Sequence, residues 1–334
     1  MVARLLPLPT LCSPMSCVIV TDVGASEYDV IVIGGGAAGL SAALVLSRAR
    51  RRVLVIDSGE PRNAPAVHMH GFLSRDGMPP AELLAAGRAE VAAYGGTLMH
   101  ASVEEIAVVS HAADLRFTAR LADGTQERAR RVLIATGLRD ELPPVPGLRE
   151  RWARDVLHCP YCHGYEVRDQ RLGVLWNGPG TPSFTQIVRQ WSDDVVLLAP
   201  TDALDLTQRT ELVARAIEIV EGEVTGILVD GDRLTGIHLA DGRTVARDAL
   251  LVPPRFVPRA DLLVGLGCEL DEHGWVVTGP QGRTSVDGAW VAGNVANPRA
   301  QVITAAGEGS AAAIAINADL VAADVRAAVV ALRA

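Results

Sequence analysis

The chain has 334 residues, enough for two domains of ordinary size, and its apolar content of 49% is enough to fill their cores. Its net charge of −8 disfavours a nucleic-acid-binding protein, whose contact surface is normally basic. No apolar run is long enough to span a bilayer, and five cysteines are too few for a secreted disulfide scaffold, so we expect a cytoplasmic protein that does not enter the membrane.

The first 27 residues contain an apolar stretch that Pro7, Pro9 and Pro14 interrupt. No small-residue cleavage site stands out after it, so the segment lacks the usual form of a secretory signal. We interpret residues 1–27 as a disordered tail or an over-long start, with Met15 as the alternative first residue.

A nucleotide-binding pattern follows this segment. A buried parallel strand is predicted at Tyr28–Ile33, a glycine-rich loop at Gly34–Gly39 and a helix at Leu40–Arg50, before a second strand at Arg52–Ile56 that ends in Asp57. Strand, loop, helix, strand and terminal acid in this order form the dinucleotide-binding βαβ fingerprint.

The glycines of this loop have separate predicted roles. Gly34 permits the tight turn, Gly36 lets a pyrophosphate approach the backbone, and Gly39 lets the helix pack closely on the strand. Asp57 is placed to accept hydrogen bonds from the ribose hydroxyls. The region therefore predicts that the chain binds a dinucleotide.

The segment from Ser58 to Phe72 is polar and rich in glycine and proline, which is typical of a solvated connection. Because it follows the ribose-binding acid, it is also placed to run along the cofactor. The residues assigned to the cofactor on this basis are Ser58, Arg62, Asn63, His70 and Gly71. The next helix, predicted over Pro80–Tyr94, is amphipathic and is interpreted as core packing.

A β-hairpin pattern then occurs twice. The first copy has strands at Leu115–Leu121 and Arg131–Ile134 around Asp123-Gly124, and the second has strands at Arg233–Leu239 and Ala249–Val252 around Asp241-Gly242. A second βαβ-like unit precedes the second hairpin, with a strand at Arg171–Leu175, a loop at Gly178-Pro179-Gly180, a helix to Trp191 and a strand at Asp194–Leu198. The repeat predicts two tandem nucleotide-type domains, with the proline-rich linker Leu142–Gly147 between them.

Cys159 and Cys162 lie where the second unit begins, within the stretch His158–Glu166. Two thiols at this spacing can close a disulfide and carry two electrons. If Cys162 begins a helix, the free N–H groups and the positive dipole end stabilise its thiolate, and Pro160 suits the first turn. His163 is placed to move the proton that thiol exchange requires.

Three other interpretations of this stretch stay open. Cys-x-x-Cys-His is also the attachment pattern of c-type haem. A zinc site would need a second pair of ligands, and outside the N-terminal tail the only other cysteine is the distant Cys268. Two buried, unreactive thiols are the third alternative. The nucleotide-binding motifs favour a redox dithiol, and we expect no metal.

The C-terminal part carries a short strand and turn at Trp290–Val295 and then a small-residue helix from Gln301 to about Ala322. A helix that begins beside a flavin directs its positive end at the ring and favours the anionic reduced form. Plain packing of a C-terminal helix is the alternative explanation for its Ala and Gly content.

These motifs together resemble the thioredoxin-reductase-like family of FAD-dependent pyridine nucleotide-disulfide oxidoreductases, over roughly Tyr28 to Ala322. The matching motifs are Gly34–Gly39, Ala135-Thr136-Gly137, the Cys159/Cys162 pair, and Ala292-Gly293-Asn294-Val295 followed by Gln301-Val302-Ile303. The resemblance implies an α/β protein with two tandem Rossmann-like, three-layer nucleotide-binding domains. It also implies a discontinuous FAD domain at 28–142 and 248–334, an inserted NAD(P)-type domain at 143–247 that carries the two cysteines, and a homodimer.

The FAD-binding residues expected from the fingerprint, the loop and the resemblance are Gly34, Gly36, Ala37, Ala38, Gly39, Asp57, Ser58, Arg62, Asn63, His70, Gly71, Val103, Ala135, Thr136, Gly137, Gly293, Asn294, Gln301, Val302 and Ile303. The resemblance further implies that Cys159 faces the substrate and that Cys162 lies nearer the flavin. Asn294 stands where most members have Asp, and as a neutral side chain it can still hydrogen-bond a ribityl hydroxyl.

The second glycine loop departs from the family pattern. In the family's reductases this loop ends in Ala and is followed by a basic cluster for the 2′-phosphate of NADPH. This chain has Ser183 at the third position and no basic residue in Ala199–Asp202. Because a 2′-phosphate needs Arg or Lys beside it, we do not expect NADPH to be the physiological reductant.

His163 is a second departure, since the reductases have an acid after the second cysteine. Cys-x-x-Cys-His-Gly-Tyr-Glu is similar to the gliotoxin- and holomycin-type dithiol oxidases, which pass electrons from a small-molecule dithiol through FAD to O₂. We expect such an oxidase, with Cys159, Cys162 and His163 as catalytic residues and hydrogen peroxide as a product. The alternatives are an NADPH-dependent reductase of a thioredoxin-like protein and a flavin-bearing redox sensor without turnover.

Overall fold

The structure is a computed structural model that describes residues 27–110 and 116–333. The predicted tail lies outside these residues except for Glu27, and so does Leu115, the predicted first residue of the first hairpin. The strands are β1 (Glu27–Ile33), β2 (Val53–Asp57), β3 (Thr97–His100), β4 (Val103–Ser110), β5 (Arg116–Leu121), β6 (Gln126–Ile134), β7 (Leu138–Glu141), β8 (Val156–Leu157), β9 (Leu172–Leu175), β10 (Val195–Ala199), β11 (Glu218–Glu221), β12 (Val224–Asp230), β13 (Arg233–Leu239), β14 (Thr244–Ala246), β15 (Ala249–Leu251), β16 (Arg255–Pro258) and β17 (Ala289–Val291). The helices are α1 (Ala37–Arg48), α2 (Pro80–Ala93), α3 (Pro160–His163), α4 (Thr181–Val188), α5 (Leu206–Ala214), α6 (Asp261–Leu266) and α7 (Val302–Ala331), with 3-10 turns at Pro280–Gly282 and Gly293–Val295.

The first sheet has the strand order β3-β2-β1-β6-β5-β4, with β17 beside the end of β6. β1 pairs in parallel with β2 and β6, and β6 also closes the first predicted hairpin by pairing antiparallel with β5. Because side chains alternate along a strand, Val30 and Val32 of β1 pack with α1 and α7, whereas Ile31 and Ile33 belong to a buried cluster with Leu263 of α6. The sheet is therefore covered on both faces.

The second sheet has the order β11-β10-β9-β15-β8, and all its strands are parallel. One face packs against α4 and α5 through Val188 and Leu212, and the other packs against the antiparallel sheet β12-β13-β14 through Ile237 and Leu239. The predicted fold class, two Rossmann-like three-layer α/β units in tandem, is confirmed.

The second hairpin is built differently from the prediction. β13 turns back into β14, and the segment predicted as its return strand, Ala249–Val252, instead supplies β15 of the parallel sheet. Arg247 and Asp248 lie between the two strands, and their side chains form ion pairs with Asp194 and Arg171. In the first unit a single strand, β6, both closes the hairpin with β5 and pairs in parallel with β1. The domain limits at 28–142, 143–247 and 248–334 stay a prediction, although β15 pairs within the second sheet and not the first.

Two connecting elements complete the fold. β7 and β16 pair antiparallel, so the chain leaves the first sheet and returns to it through neighbouring strands, and the predicted linker Leu142–Gly147 directly follows β7. The last helix, α7, continues to Ala331 instead of ending near Ala322, because the sequence after Gly309 contains no Gly or Pro to stop it. Within the described ranges, no helix is long and apolar enough to cross a membrane.

Candidate active site

One cavity of about 1360 Å³ lies at the carboxyl ends of the parallel strands of both sheets. It is lined by the residues that follow β1, β6 and β17 of the first sheet and by those that follow β8, β9 and β15 of the second. In open α/β sheets this edge is where ligands bind. The predicted site residues that line it are Gly34, Gly36, Ala37, Ala38, Asp57, Ser58, Arg62, Asn63, His70, Val103, Ala135, Thr136, Gly137, Cys159, Cys162, His163, Gly293, Asn294, Gln301 and Val302.

Three predicted cofactor residues lie outside this lining. Gly39 is buried behind the loop, and Ile303 has a side chain that is 38% exposed at the start of α7. Gly71 donates its backbone N–H to Asp76 Oδ1 at 2.8 Å and lies beside the side chain of Gln301. Their assignment to the cofactor stays a prediction.

The first glycine loop is shaped by close contacts. Gly34 has φ of +105°, and a Cβ there would lie 2.4 Å from the carbonyl oxygen of Ala135. A Cβ on Gly39 would lie 1.9 Å from the carbonyl oxygen of Gly34, so only glycine lets α1 pack on the loop. Gly36 is different, because no atom lies within 4 Å of its ideal Cβ position, and that open space faces the cavity.

Asp57 ends β2 at the mouth of this loop. Its Oδ1 accepts the backbone N–H of Gly35 at 3.0 Å, which fixes the carboxylate beside the loop while the residue still lines the cavity. A helix N-terminus, an open glycine backbone and a fixed carboxylate match the pyrophosphate and ribose of a dinucleotide. The residues present therefore fit the predicted cofactor.

Arg62 lines the cavity and connects the two units. Its guanidinium donates two hydrogen bonds of 2.7 Å to Asp140 on β7 and one of 3.4 Å to Asn294 Oδ1. The same group stacks over the ring of Phe256, 5.2 Å from its centroid, and Nη2 lies 3.3 Å from Nε2 of His158. Arg62 thus joins a loop of the first unit to the residue that precedes the first cysteine.

His158 is held as a neutral side chain. Its ring stacks on Trp152 with centroids 5.3 Å apart. Burial, and then the positive charge of Arg62, lower the pKa of His158 from 6.5 to about 4, while Asp140 opposes them. Because Arg62 donates to Nε2, the proton of the neutral ring is on Nδ1.

The dithiol is closed as a disulfide between Cys159 and Cys162. Cys159 is the N-cap of α3, and its Sγ accepts the backbone N–H of Cys162 at 3.1 Å, while Pro160 is in the first turn. The helix therefore begins after the first cysteine and not at the second, which corrects the condition stated for Cys162. Because Cys159 is the N-cap, the helix N-terminus stabilises the sulfur of Cys159 and not that of Cys162.

His163 ends α3 and lines the cavity. Burial lowers the pKa of its imidazole, and His70 acts in the same direction while Glu166 opposes it. His70, which was predicted to contact the cofactor, lies between two acids, with Nδ1 3.3 Å from Asp76 Oδ2 and Nε2 3.5 Å from Glu166 Oε1. The loop of the first unit therefore contacts the segment after the dithiol.

Asn294 has a structural reason to replace Asp. Its Nδ2 donates to the carbonyl oxygens of Asn297 at 2.9 Å and Ala300 at 3.0 Å, which a carboxylate has no proton to do. Glu308 of α7 holds the same turn by accepting the N–H of Gly293 at 2.9 Å and the amide of Asn297 at 2.7 Å.

Three of the residues that build the site were assigned no role from the sequence. Glu308 offered a signal, because it is the only acid in the Ala-rich first half of the last helix. His158 stands in the cysteine stretch itself. Asp140 had no local signal, since its partner Arg62 is 78 positions away.

Comparison with known proteins decides the family. The protein-family model described as pyridine nucleotide-disulphide oxidoreductase matches residues 28–309 of this chain. The chain belongs to this family. A relative named thioredoxin reductase sirT, from Leptosphaeria maculans, is 32% identical over 318 residues, which cover 90% of this chain and 97% of that protein.

Two solved structures have the same fold. The crystal structure of HlmI is 54% identical, with a TM-score of 0.89, and the match covers 91% of this chain and 96% of that one. An oxidoreductase from Agrobacterium tumefaciens is 34% identical, with a TM-score of 0.81 and coverage of 89% and 99%. The protein is therefore a thioredoxin-reductase-like oxidoreductase of the pyridine nucleotide-disulphide family, which implies a flavin and a pyridine nucleotide.

The second glycine loop keeps the shape of a family nucleotide site but not its charge. Gly178 has φ of +120°, Gly180 is the N-cap of α4, and no atom lies within 4 Å of the ideal Cβ position of either. Arg209, the first cation after β10, is ion-paired with Glu221. Arg215, the next cation before β11, donates to Gln186, so neither of these two described cations stands free to hold a 2′-phosphate.

Proposed function

We propose that the protein is an FAD-dependent dithiol oxidase. The net reaction is R(SH)₂ + O₂ → RS₂ + H₂O₂, in which R(SH)₂ is a small-molecule dithiol. The observation that carries the proposal is that the disulfide and the first glycine loop line one cavity, whereas the second glycine loop has no cation for NADPH. Electrons therefore have a route from a dithiol toward the flavin site without a matching route from NADPH.

Residues of the first unit would hold the cofactor. The loop Gly34–Ala38 would bind the pyrophosphate, Asp57 the ribose, and the turn at Gly293 with Gln301 and Val302 at the start of α7 would lie beside the flavin end. FAD, when bound, supplies an acceptor for the electron pair of the dithiol and passes that pair to oxygen.

Thiol exchange occurs on the protein disulfide. A substrate thiolate attacks Sγ of Cys159, the Cys159–Cys162 bond breaks, and Cys162 leaves as a thiolate. The second substrate thiol loses its proton and attacks the substrate sulfur of the mixed disulfide, which releases the cyclic product and the Cys159 thiolate. The backbone N–H that Cys162 directs at Cys159 Sγ stabilises this leaving thiolate. Two protons leave the substrate and two electrons reduce the protein.

His163 is the proposed base for these protons. Because burial lowers the pKa of its imidazole, the ring is neutral at pH 7 and can accept a proton from an incoming thiol. His158 lies beside Cys159 in the chain, but its pKa of about 4 and its contact with Arg62 make it a poor acceptor at that pH.

A thioredoxin-type reductase is the second candidate. The name of the Leptosphaeria maculans relative and the retained shape of the second glycine loop favour it. The lack of free cations for the 2′-phosphate of NADPH argues against it. Each charge-assisted hydrogen bond is worth about 1.5–3 kcal/mol, so the loss of two or three weakens NADPH binding by orders of magnitude. NADH carries no 2′-phosphate, so it is a separate test.

Oxygen uptake by the purified flavoprotein tests the proposal. With dithiothreitol we expect steady O₂ consumption and one H₂O₂ per O₂, and Cys162→Ser should abolish both. In anaerobic stopped-flow measurements at the flavin band, dithiothreitol should bleach the flavin rapidly and millimolar NADPH should not. Bleaching by NADPH within a second, together with no oxygen uptake from dithiols, would establish the reductase instead. Bleaching by dithiols without any uptake would indicate a sensor.

The setting of the enzyme is also proposed. We infer a cytoplasmic homodimer, because the family resemblance implies the dimer and the low cysteine content suits a reducing compartment. Light scattering of the holoprotein tests the dimer, and a mass of about 35 kDa would contradict it.

A further inference from the structure

We infer that a proton relay connects the base of the dithiol site with bulk solvent, and that it consists of Glu166, His70 and Asp76. The inference rests on the proposed function, in which His163 takes protons from the substrate thiols. The three relay residues act through His163. They come from both units, because Glu166 follows the dithiol helix whereas His70 and Asp76 belong to the loop after β2.

The proton balance of the proposed exchange requires a way out for protons. Transfer of two electrons from R(SH)₂ to the protein breaks the Cys159–Cys162 bond, forms the S–S bond of RS₂, and leaves two cysteine thiolates and two protons. A neutral imidazole takes up one proton. His163 can therefore serve both substrate thiols only if the first proton moves on before the second thiol ionises. Reduction of O₂ to H₂O₂ takes up the two protons again, so a full cycle needs movement in both directions.

His70 lies between two carboxylates that face its two ring nitrogens. Its Nε2 is 3.5 Å from Oε1 of Glu166, and its Nδ1 is 3.3 Å from Oδ2 of Asp76. A carboxylate only accepts hydrogen bonds and a neutral imidazole has one N–H, so the neutral ring donates to one of the two acids at a time. A proton that arrives at Nε2 allows another to leave from Nδ1, and this is the movement that a relay needs.

Glu166 connects this imidazole with the base. Burial lowers the pKa of His163, Glu166 then raises it, and His70 lowers it, so both relay groups act on the base at short range. His158 is the other titratable group that faces His163, and each of these two relations concerns charge alone. A proton on His163 is therefore beside a carboxylate whose other contact is His70.

The relay leads from the cavity to the surface. His163 is half-buried and lines the cavity, the side chain of His70 is 25% exposed, and that of Asp76 is 68% exposed. The backbone N–H of Gly71 donates to Oδ1 of Asp76 at 2.8 Å, and this contact and then His70 lower the pKa of Asp76. The carboxylate at the outer end therefore passes a proton to water more readily than it keeps one.

The decisive variants separate a relay from a clamp that only holds the loop on the second unit. His70→Gln keeps a hydrogen-bond donor for the acids but has no ring that accepts a proton at one atom and releases it from another. His70→Ala leaves space for a small molecule. The control is His238→Gln, which replaces an exposed, hydrogen-bonded imidazole on β13 outside the cavity.

The measurement is anaerobic stopped-flow mixing of the holoprotein with dithiothreitol in weak buffer. The ultraviolet absorbance of oxidised dithiothreitol reports the exchange, and a pH-indicator dye reports the protons. In the wild type and in His238→Gln both signals should change together, and added imidazole should not accelerate them. His70→Gln and His70→Ala should slow the maximal rate about tenfold without changing the dithiothreitol concentration at half-maximal rate, and free imidazole should restore most of the rate in His70→Ala.

Two results would overturn the relay. Wild-type rates in both His70 variants would mean that Glu166, which is 44% exposed, passes protons to water directly. A slow His70→Ala that imidazole does not restore would make the contacts a clamp.

The proposed function fails in a different way. A wild type that oxidises dithiothreitol anaerobically but consumes no O₂ would remove the oxidase and leave the relay. If the wild type oxidises no dithiol at all, the oxidase fails and NMR titration of the imidazoles decides the relay. Glu166→Gln should then lower the pKa of His163 and His70→Gln should raise it, and a pKa of His163 that is the same in both variants as in the wild type would overturn the relay as well.

Discussion

Acidification should destabilise the protein through His158. The folded state lowers the pKa of this side chain from 6.5 to about 4. Between these pH values the unfolded chain binds a proton on His158 and the folded chain does not. The stability contribution is therefore complete above pH 6.5 and is lost progressively as pH falls from 6.5 toward 4. Each pH unit in this interval is worth about 1.4 kcal/mol, so the whole loss is about 3 kcal/mol.

The measurement compares two proteins across pH. Urea unfolding of the wild type and of His158→Gln at pH 7.5, 6, 5 and 4 separates this group from the carboxylates, which titrate in both. Glutamine keeps an acceptor for Arg62 but cannot be protonated, so the loss of the stacking on Trp152 offsets its curve by a constant amount. The wild type should lose about 3 kcal/mol more than the variant between pH 7.5 and 4. His273→Gln, at a position where the side chain is 75% exposed, is the control.

The neighbours of His158 supply a second check with opposite signs. Arg62 lowers the pKa of His158 and Asp140 raises it. Arg62→Gln should therefore raise the pKa measured by NMR at the Cε1 proton, and Asp140→Asn should lower it. If His158→Gln follows the wild type across the whole pH range, or if both neighbouring variants shift the pKa in one direction, the reasoning about this buried imidazole is wrong.

Three further predictions concern the dithiol, the base and the cofactor loop. Cys159→Ser should leave Cys162 as a free thiolate, with a long-wavelength charge-transfer band in the holoprotein, whereas the Cys159 thiolate of Cys162→Ser should exchange with an added disulfide form of the substrate and carry it as a mixed disulfide visible by mass spectrometry; a band in the second variant instead would reverse the two roles. His163→Ala should slow turnover about 10²–10⁴-fold and remove the acid limb of kcat/KM below pH 6.5, and a near-normal rate would make the residue structural. Gly36→Val should fill the open space of the first loop, so that the protein folds by circular dichroism but does not take up FAD; yellow protein after reconstitution would contradict the proposed site.

Local signals were sufficient where one short segment determines its own structure. The strand, glycine loop and helix at the start of the described chain lie within a few residues of their predicted limits. Adjacent residues determine the turn, the close packing of the helix on the loop and the start of the helix. The return strand of the second hairpin was wrong for a non-local reason. Ala249–Leu251 pairs in parallel with β8 and β9, which lie about 75 to 95 positions earlier in the chain, and this leaves only Thr244–Ala246 to pair with β13.

The start of α3 was only partly predicted. Pro160 suits a first turn, which is where the structure has it, but the condition stated for Cys162 placed the start two residues later. The choice of Cys159 as the N-cap follows from the disulfide, because the turn brings the Cys162 N–H to the sulfur of Cys159. The pairing of β7 with β16 and the contact of Arg62 with His158 likewise join positions far apart in the chain.

The charges of the site show why residue types alone describe a binding site incompletely. Arg62 lines the cavity, and Arg209 is the first cation after β10. Each already has an acid partner, which is Asp140 for Arg62 and Glu221 for Arg209. A cation that neutralises its own acid would have to break that contact before it could hold a phosphate, and the broken contact would oppose the new one. The sequence predicted a weak NADPH clasp because basic residues are missing from Ala199–Asp202, and the pairing of Arg209 extends that argument to the next candidate. Between residues 143 and 247 the cavity lining contains no charged side chain, so the second unit offers a 2′-phosphate no cation there.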